Sequence, residues 1–256
     1  EKVYFINHIP VFFFFNSILR RLRKIEIIYW VADYWPMKDV LLWIFRRFMY
    51  YYHKRTRVTL YISDRVNRLM NGNVLHLPNK KTVMLGINPP KEVLKDIPRQ
   101  SITLCFIGVL VEAQGIDLLL NVVAENREVK LKLIGTGEQS VVAKYKTLVK
   151  RYKMSDRVFF PNRFYYGEEL KQAISDCHVG VALYVVDSNT VTYFADPAKI
   201  KQYAEFGLPI IMTNAAEVAQ YIKRFKAGII VARNAEAVSR AIRDMKENYS
   251  SYLAGL

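Results

Sequence analysis

The chain has 256 residues, 52% hydrophobic and 24% charged, with no low-complexity tract or long polar run. This excludes the disordered and fibrous classes and leaves a globular chain large enough for one big domain or two ordinary ones. The formal net charge is +15 and uneven: residues 1–98 carry 17 Lys/Arg against 7 Asp/Glu, and the remaining 158 carry 21 against 16. Such an excess points to an anionic partner, whether a membrane surface, nucleic acid or a phosphorylated ligand.

Cys105 and Cys177 lie in apolar surroundings and read as buried thiols in a reducing compartment. Their spacing suggests no metal, and no cofactor is expected. No signal peptide is visible and no apolar run approaches the ~20 residues that span a bilayer. A cytoplasmic location follows as the expectation. The chain begins without Met and enters a strand-like run almost at once, which suggests that its natural N-terminus is missing.

Val3–Ile6 reads as a strand, Phe12–Lys24 as a helix ending in the basic cluster Arg20, Arg21, Arg23 and Lys24, and Ile25–Val31 as a second strand followed by Asp33. Val40–Tyr52 is expected to be a helix, Val58–Ser63 a strand, then a short helix through Met70 and a weak strand at Val74–Leu77. Pro89, Pro90 and Pro98 among charges have a linker composition, and the domain boundary is placed there, giving domains 1–95 and 96–256. From Ser101 the alternation is cleaner. Strands are expected at Ile102–Ile107, Val129–Ile134, Val158–Phe160, Val179–Leu183, Ile210–Thr213 and Ile229–Val231. Helices are expected at Ile116–Asn126, Gln139–Tyr152, Glu168–Cys177, Pro197–Phe206, Val218–Arg224 and Ala235–Asn248. Strands alternating with helices imply parallel sheets wound by crossovers. The fold class is therefore α/β with two Rossmann-like domains, the first incomplete and the second a full doubly wound sheet.

Ligands of such sheets bind beyond the carboxyl ends of the strands, and four of these ends carry suggestive chemistry. Gly108 follows Ile102–Ile107 and would let a ligand approach backbone, although a turn alone also explains it. Gly135-Thr136-Gly137-Glu138 could expose N–H groups to an anion, but it lacks the third glycine of a dinucleotide fingerprint. In Asp196–Ile211, Asp196 is expected to cap a helix opened by Pro197, with Lys199 near its start, Gln202 one turn on, and Gly207 ending it before an apolar strand. Lys199 beside free N–H groups would suit a phosphate; a solvated surface lysine is the plain alternative. Asp33, flanked by Tyr34, Trp35 and Pro36, could act as a base or bind hydroxyls, or simply cap the next segment. A lone His8 and the scattered His53, His76 and His178 show no partner spacing.

Taken together, these pieces resemble the group 1 (family 4) glycosyltransferases of the GT-B fold. FIGVLVEAQGIDLLL is similar to that family's strand, glycine and helix facing the donor diphosphate, and LKLIGTGE to its glycine turn. YYGEELKQAISDCHVGVALY resembles the segment before the donor site, and DPAKIKQYAEFGLPII the donor-binding helix and strand. IIYWVADYWP, LYISDRV and GINPP resemble the later half of the acceptor domain. There are departures: Val109 and Gln114 stand where members commonly carry Arg and Lys on the diphosphate, and Gln202 stands where a ribose-binding Glu is usual. An amide can still bond hydroxyls, with less strength.

The resemblance implies transfer of a sugar from a nucleotide-diphosphate sugar to an acceptor hydroxyl, retaining and metal-independent. Lys199 and Asp33 would be the catalytic candidates, and Gly108, Gly135, Gly137, Asp196, Pro197, Lys199 and Gln202 the donor-binding set. The run W-I-F-R-R-F-M-Y-Y-Y-H-K-R mixes cations with aromatics as membrane-surface helices do, or covers an ordinary core by snorkelling. On the membrane reading the acceptor is lipid-linked, as in surface polysaccharide or glycolipid assembly, and the protein is peripheral on the inner face of the membrane. A rival reading is a non-catalytic subunit that binds a nucleotide or a partner. Nucleic-acid binding rests on charge alone and is not expected.

Overall fold

The computed structural model describes residues 3–7, 25–36, 40–73, 77–86 and 100–256. The expected helix Phe12–Lys24 with its basic cluster and the Pro-rich segment at 89–98 lie outside them. By its contacts the chain divides into two compact units, Glu1–Leu85 with Asp187–Asp196, and Gly86–Val186 with Pro197–Leu256.

The first unit holds strands β1 (Val3–Asn7), β2 (Ile25–Val31), β3 (Val58–Tyr61) and β4 (Lys80–Thr82), with helices α1 (Val40–Arg55) and α2 (Asp64–Met70). All four strands pair in parallel in the order β1-β2-β3-β4. The fourth strand is Lys80–Thr82; the expected Val74–Leu77 is not its position, and residues 74–76 lie outside the description. β4 is short and polar, so it carries no apolar run to announce it. Tyr29, Val31, Met49, Tyr61 and Val66 form the buried cluster. Asp187–Asp196 joins this unit through helix α6 (Val191–Phe194). The Ser63 hydroxyl caps α2 by accepting from Val66 N and donates to the Phe194 carbonyl at 2.6 Å. Arg65 donates to the Tyr193 carbonyl at 2.8 Å and stacks over its ring at 3.9 Å. Phe194 meets Tyr34 edge-on, 4.7 Å between centroids.

The second unit is a six-stranded parallel sheet, β5 (Ile102–Ile107), β6 (Val129–Ile134), β7 (Val158–Phe159), β8 (Val179–Ala182), β9 (Ile210–Thr213) and β10 (Gly228–Val231), ordered β10-β9-β8-β5-β6-β7. Its helices are α3 (Ile116–Glu125), α4 (Gln139–Arg151), α5 (Gly167–Ala173), α7 (Ala198–Glu205), α8 (Val218–Arg224), α9 (Ala235–Glu247) and α10 (Tyr249–Leu253). The central strands are continuous apolar runs because helices cover both faces of such a sheet; every residue of β5, β8 and β9 is buried. The chain runs outward from β5 through β6 to β7, then returns to β5's other edge with β8. That reversal sets a topological switch point between β5 and β8.

Of the face expected on α4 at Val142, Tyr145, Leu148, Val149 and Tyr152, Val142, Tyr145 and Val149 are buried, Leu148 is half-buried, and Tyr152 is exposed beyond the helix end. α5 stops at Ala173, a turn short of the expected Cys177, and the chain bends to deliver Cys177 buried beside β8. Cys105 and Cys177 are both buried thiols, and burial together with their mutual contact pushes Cys105 up.

Candidate functional site

At the switch point the carboxyl ends of β5 and β8 separate, and Tyr203 on α7 fills the gap between them. Its hydroxyl accepts from Ile107 N at 3.0 Å and donates to the Val181 carbonyl at 3.1 Å. Only a glycine at 180 permits this, because a Cβ there would lie 2.2 Å from the Tyr203 ring. Tyr203 thus satisfies two backbone groups that strand pairing would otherwise leave buried, and it fixes the position of α7.

One turn earlier on α7, Lys199 reaches over the end of β5. Its Nζ donates to Gln114 Oε1 at 2.7 Å and lies 3.9 Å from the Phe106 ring centroid and 5.3 Å from that of Tyr184. Burial depresses the ammonium from its ordinary 10.5 to about 7. Among the described residues no carboxylate forms an ion pair with it. A half-buried cation held by an amide oxygen and ring faces favours an anion that brings charge to it.

The glycines shape the floor of this site. Gly108 has φ +143°, and a Cβ on it would come 2.9 Å from Lys199 Nζ. Gly108 N donates to the Ile134 carbonyl and Leu110 N to the Thr136 carbonyl, so the turns after β5 and β6 run side by side. A Cβ on Gly135 would fall 1.9 Å from the Gly108 carbonyl, and one on Gly137 would fall 2.3 Å from the Leu110 carbonyl. These two glycines therefore permit backbone-to-backbone packing behind Gly108. Gly115, with φ +74°, sits under the Leu183 carbonyl and starts α3 after the 3₁₀ turn Glu112–Gln114.

Asp196 does not cap the helix. Pro197 occupies the N-cap position, without a side-chain capping bond. The buried Asp196 carboxylate instead accepts from Leu85 N at 2.7 Å, and the residue belongs to the first unit. Standing one position before the cap, it is spoken for by a different part of the chain. Gln202 is half-buried one turn beyond Lys199. The end of α7 matches the expected pattern: Gly207 takes φ +67° and Leu208 N closes onto the Tyr203 carbonyl at 2.9 Å.

Three contributors escape a local reading. Tyr184 and Phe106 wall in Lys199, yet in sequence they look like ordinary strand ends. Arg233 follows β10 and donates through Nε to the Leu183 carbonyl at 3.1 Å and through its terminal nitrogen to Glu112 O at 3.5 Å. A cation just past a strand's carboxyl end was the available signal for it. Val109, where the family commonly has Arg, is exposed, and Gln114, where it has Lys, is the residue that holds Lys199.

In the first unit, Asp33 is exposed beyond the end of β2 and lines a cavity of about 350 Å³ with Tyr29, Val31, Ala32, Trp35, Phe45 and Met49. Trp35 meets Phe45 edge-on at 6.0 Å. The described histidines are structural. His53 Nδ1 bonds Tyr61 OH at 2.6 Å and burial lowers it to about 4; His178 Nδ1 accepts from Thr103 N at 3.0 Å. Among the described residues no group of three or more His, Cys, Asp or Glu is placed to hold a metal, and no helix is long and apolar enough to cross a membrane.

A doubly wound sheet with a cation and close-packed glycine turns at its switch point is the architecture of a nucleotide-binding Rossmann-like domain. The family model for glycosyl transferases group 1 matches residues 91–254, and the chain belongs to that family. It is a glycosyltransferase of two Rossmann-like units. No curated protein matches the sequence. Among solved structures it is similar to HepE of Anabaena in complex with UDP and glucose, at 12% identity and TM-score 0.74, covering 98% of this chain and 70% of that one. The sucrose-phosphate synthase of Thermosynechococcus elongatus has 14% identity and TM-score 0.68, covering 99% of this chain and 66% of that one. WaaG, described as a glycosyltransferase involved in lipopolysaccharide biosynthesis, has 14% identity and TM-score 0.61, covering 94% of this chain and 74% of that one.

Proposed function

We propose that the protein moves a sugar from a nucleotide-diphosphate sugar to an acceptor hydroxyl, with retention at the anomeric carbon and without a metal ion. The bond from the anomeric carbon to the diphosphate oxygen breaks, a bond to the acceptor oxygen forms, and the acceptor's proton is released. The observation that carries this reading is Lys199, a half-buried cation beside Gly108 that, among the described residues, is held by an amide oxygen and aromatic faces and by no carboxylate. Its place is to meet the charge that grows on the departing diphosphate, a stabilisation that strengthens in a site shielded from water. Gly108 lets the diphosphate approach backbone, the N–H groups at the start of α7 add their dipole, and Gln202 bonds the ribose hydroxyls. Gly135 and Gly137 support the floor, with Asp196 and Pro197 setting the entry to α7. Asp33 is the candidate on the acceptor side, as a hydroxyl-binding or base residue. Retention and metal independence follow from the family resemblance. HepE, which has been captured with UDP and with UDP-glucose, supports a uridine donor.

The acceptor is proposed to be lipid-linked, in polysaccharide or glycolipid assembly at the inner face of a membrane. WaaG's role in lipopolysaccharide biosynthesis and the basic first unit support this. Incubation of the protein with radiolabelled UDP-sugars and a lipid extract tests both parts. Labelled glycolipid is the expected product; failure to bind any nucleoside diphosphate, with no transfer, overturns the donor reading.

A second reading, a non-catalytic nucleotide-binding subunit, draws on Gln114. An amide holds Lys199 where members commonly place another cation. UDP binding by calorimetry with no turnover of any donor would favour it.

A further inference from the structure

α1 has two apolar faces. Met49 is buried, Phe45 half-buried, and both line the cavity beside Asp33. The opposite face carries Val40, Leu41, Ile44 and Phe48, exposed by 72, 77, 41 and 48%. These positions recur at helical spacing and form one stripe. Trp43, 52% exposed, flanks the stripe, with Arg47 stacked 5.1 Å over its ring. The helix holds four cations, Arg46, Arg47, Lys54 and Arg55, and no acidic residue. An apolar stripe of this size is uncommon on a protein's water-facing surface. Purely apolar partners do not require the cations, and acidic partners in water do not require the stripe.

We infer that the outer face of α1 is a docking surface for an anionic lipid bilayer, with Val40, Leu41, Ile44 and Phe48 entering the acyl boundary and Arg47 and Lys54 on headgroup phosphates. The combination of large apolar side chains, an indole at the margin and basic residues with no acidic residue on the same helix is what an in-plane interfacial helix needs. The excess charge of residues 1–98 supplies long-range attraction to the same surface. Because the inner face of α1 lines the Asp33 cavity, docking brings that cavity to the headgroup level, where a lipid-linked hydroxyl is presented. This placement deepens the acceptor reading, but its test needs no turnover, so failure here leaves sugar transfer standing.

Flotation of the protein with phosphatidylcholine vesicles and with vesicles containing 30% phosphatidylglycerol (roughly physiological anionic content) reads the binding. Binding to the anionic vesicles alone, weakening with salt, is expected. Arg47→Gln with Lys54→Gln should lower partitioning about twenty-five-fold, near fivefold per charge. Brominated lipids should quench fluorescence in the parent protein and much less in Trp43→Phe, a variant that keeps binding and fold. Ile44→Ser with Phe48→Ser should abolish binding while circular dichroism and UDP affinity stay unchanged. Equal binding to neutral vesicles, no loss in the charge variant, or quenching in Trp43→Phe as strong as in the parent protein overturns the inference. So does self-association of the protein that the Ile44→Ser, Phe48→Ser variant removes, since a second copy would then be the occupant.

Discussion

Replacing Lys199 tests the donor site through its proton. Burial holds the ammonium near 7 against an ordinary 10.5, at most about 5 kcal/mol against the charged form in the empty site. A bound diphosphate removes that penalty, so binding must pull a proton onto the lysine above pH 7. Between pH 7 and 8.5 the diphosphate of UDP-glucose stays fully ionised and its uracil stays mostly neutral, while neutral Lys199 goes from about half to nearly all of the protein. The affinity should therefore fall about fifteenfold across that interval. Calorimetry at pH 8 in buffers of different ionisation enthalpy should show uptake of nearly one proton per UDP-glucose. Lys199→Gln should bind weakly with a flat profile and no uptake. The stability effect has the opposite sense. Because the folded pKa lies below the unfolded one, the unfolded state holds the extra proton between about 7 and 10.5, and stability of the unliganded protein rises with pH across that window. Lys199→Met should accordingly melt several degrees higher at pH 6 even though it has lost ligand affinity. Unchanged affinity in Lys199→Gln would refute the assignment of Lys199 to the diphosphate, and a flat pH profile in the parent protein would refute the burial-driven loss of its proton in the empty site.

Gly135→Ala places a Cβ 1.9 Å from the Gly108 carbonyl at φ +151°, so the paired turns must separate; a loss of about 3 kcal/mol or more by denaturant melting, with weaker UDP binding, is expected. Tyr203→Phe strands Ile107 N–H and the Val181 carbonyl between β5 and β8, which should cost about 2–4 kcal/mol and speed exchange of the Ile107 amide in hydrogen–deuterium measurements. Asp33→Asn should reduce turnover by about 10²-fold or more if its carboxylate acts on the acceptor hydroxyl, while UDP affinity measured by calorimetry stays within about twofold by the same reasoning. Equal turnover in that variant removes Asp33 from the reaction.

Much of the second unit was legible because burial on both faces writes strands as unbroken apolar runs. Ile102–Ile107 and Ile210–Thr213 begin and end where such a run does, and Val129–Ile134, with Lys130 exposed, where its alternation does. Pattern failed where the cause is distant. β4 is polar and set by pairing with β3. α6 is four residues long, anchored by Ser63, Arg65 and Tyr34 from far earlier in the chain. Asp196 looked like a cap because Asp commonly caps, but its partner is the Leu85 amide, 111 positions away. In the site, Gly108 and Lys199 were readable from their places at a strand end and a helix start. The Lys199–Gln114 bond joins residues 85 apart, and the Tyr203 hydroxyl joins two strands; no local spacing encodes either.

Asp187–Asp196 has a practical consequence. Ten residues cut from the middle of one unit's sequence serve the core of the other, so the polypeptide passes between units at three points, after Leu85, Val186 and Asp196. The molecule is therefore not severable by one cut. A fragment starting at Gly86 carries Tyr193 and Phe194 without Ser63, Arg65 or Tyr34 to receive them, and the complementary fragment ends with its Phe194 seat empty. Each piece should need the other to stay in solution, and mixing them should restore what neither holds alone. Both crossings that bound the ten residues also lie close in sequence to the lysine site, one two positions after Tyr184, which walls in Lys199, and the other three positions before Lys199 itself, so a protease that nicks there should disturb the lysine's surroundings before it damages either sheet.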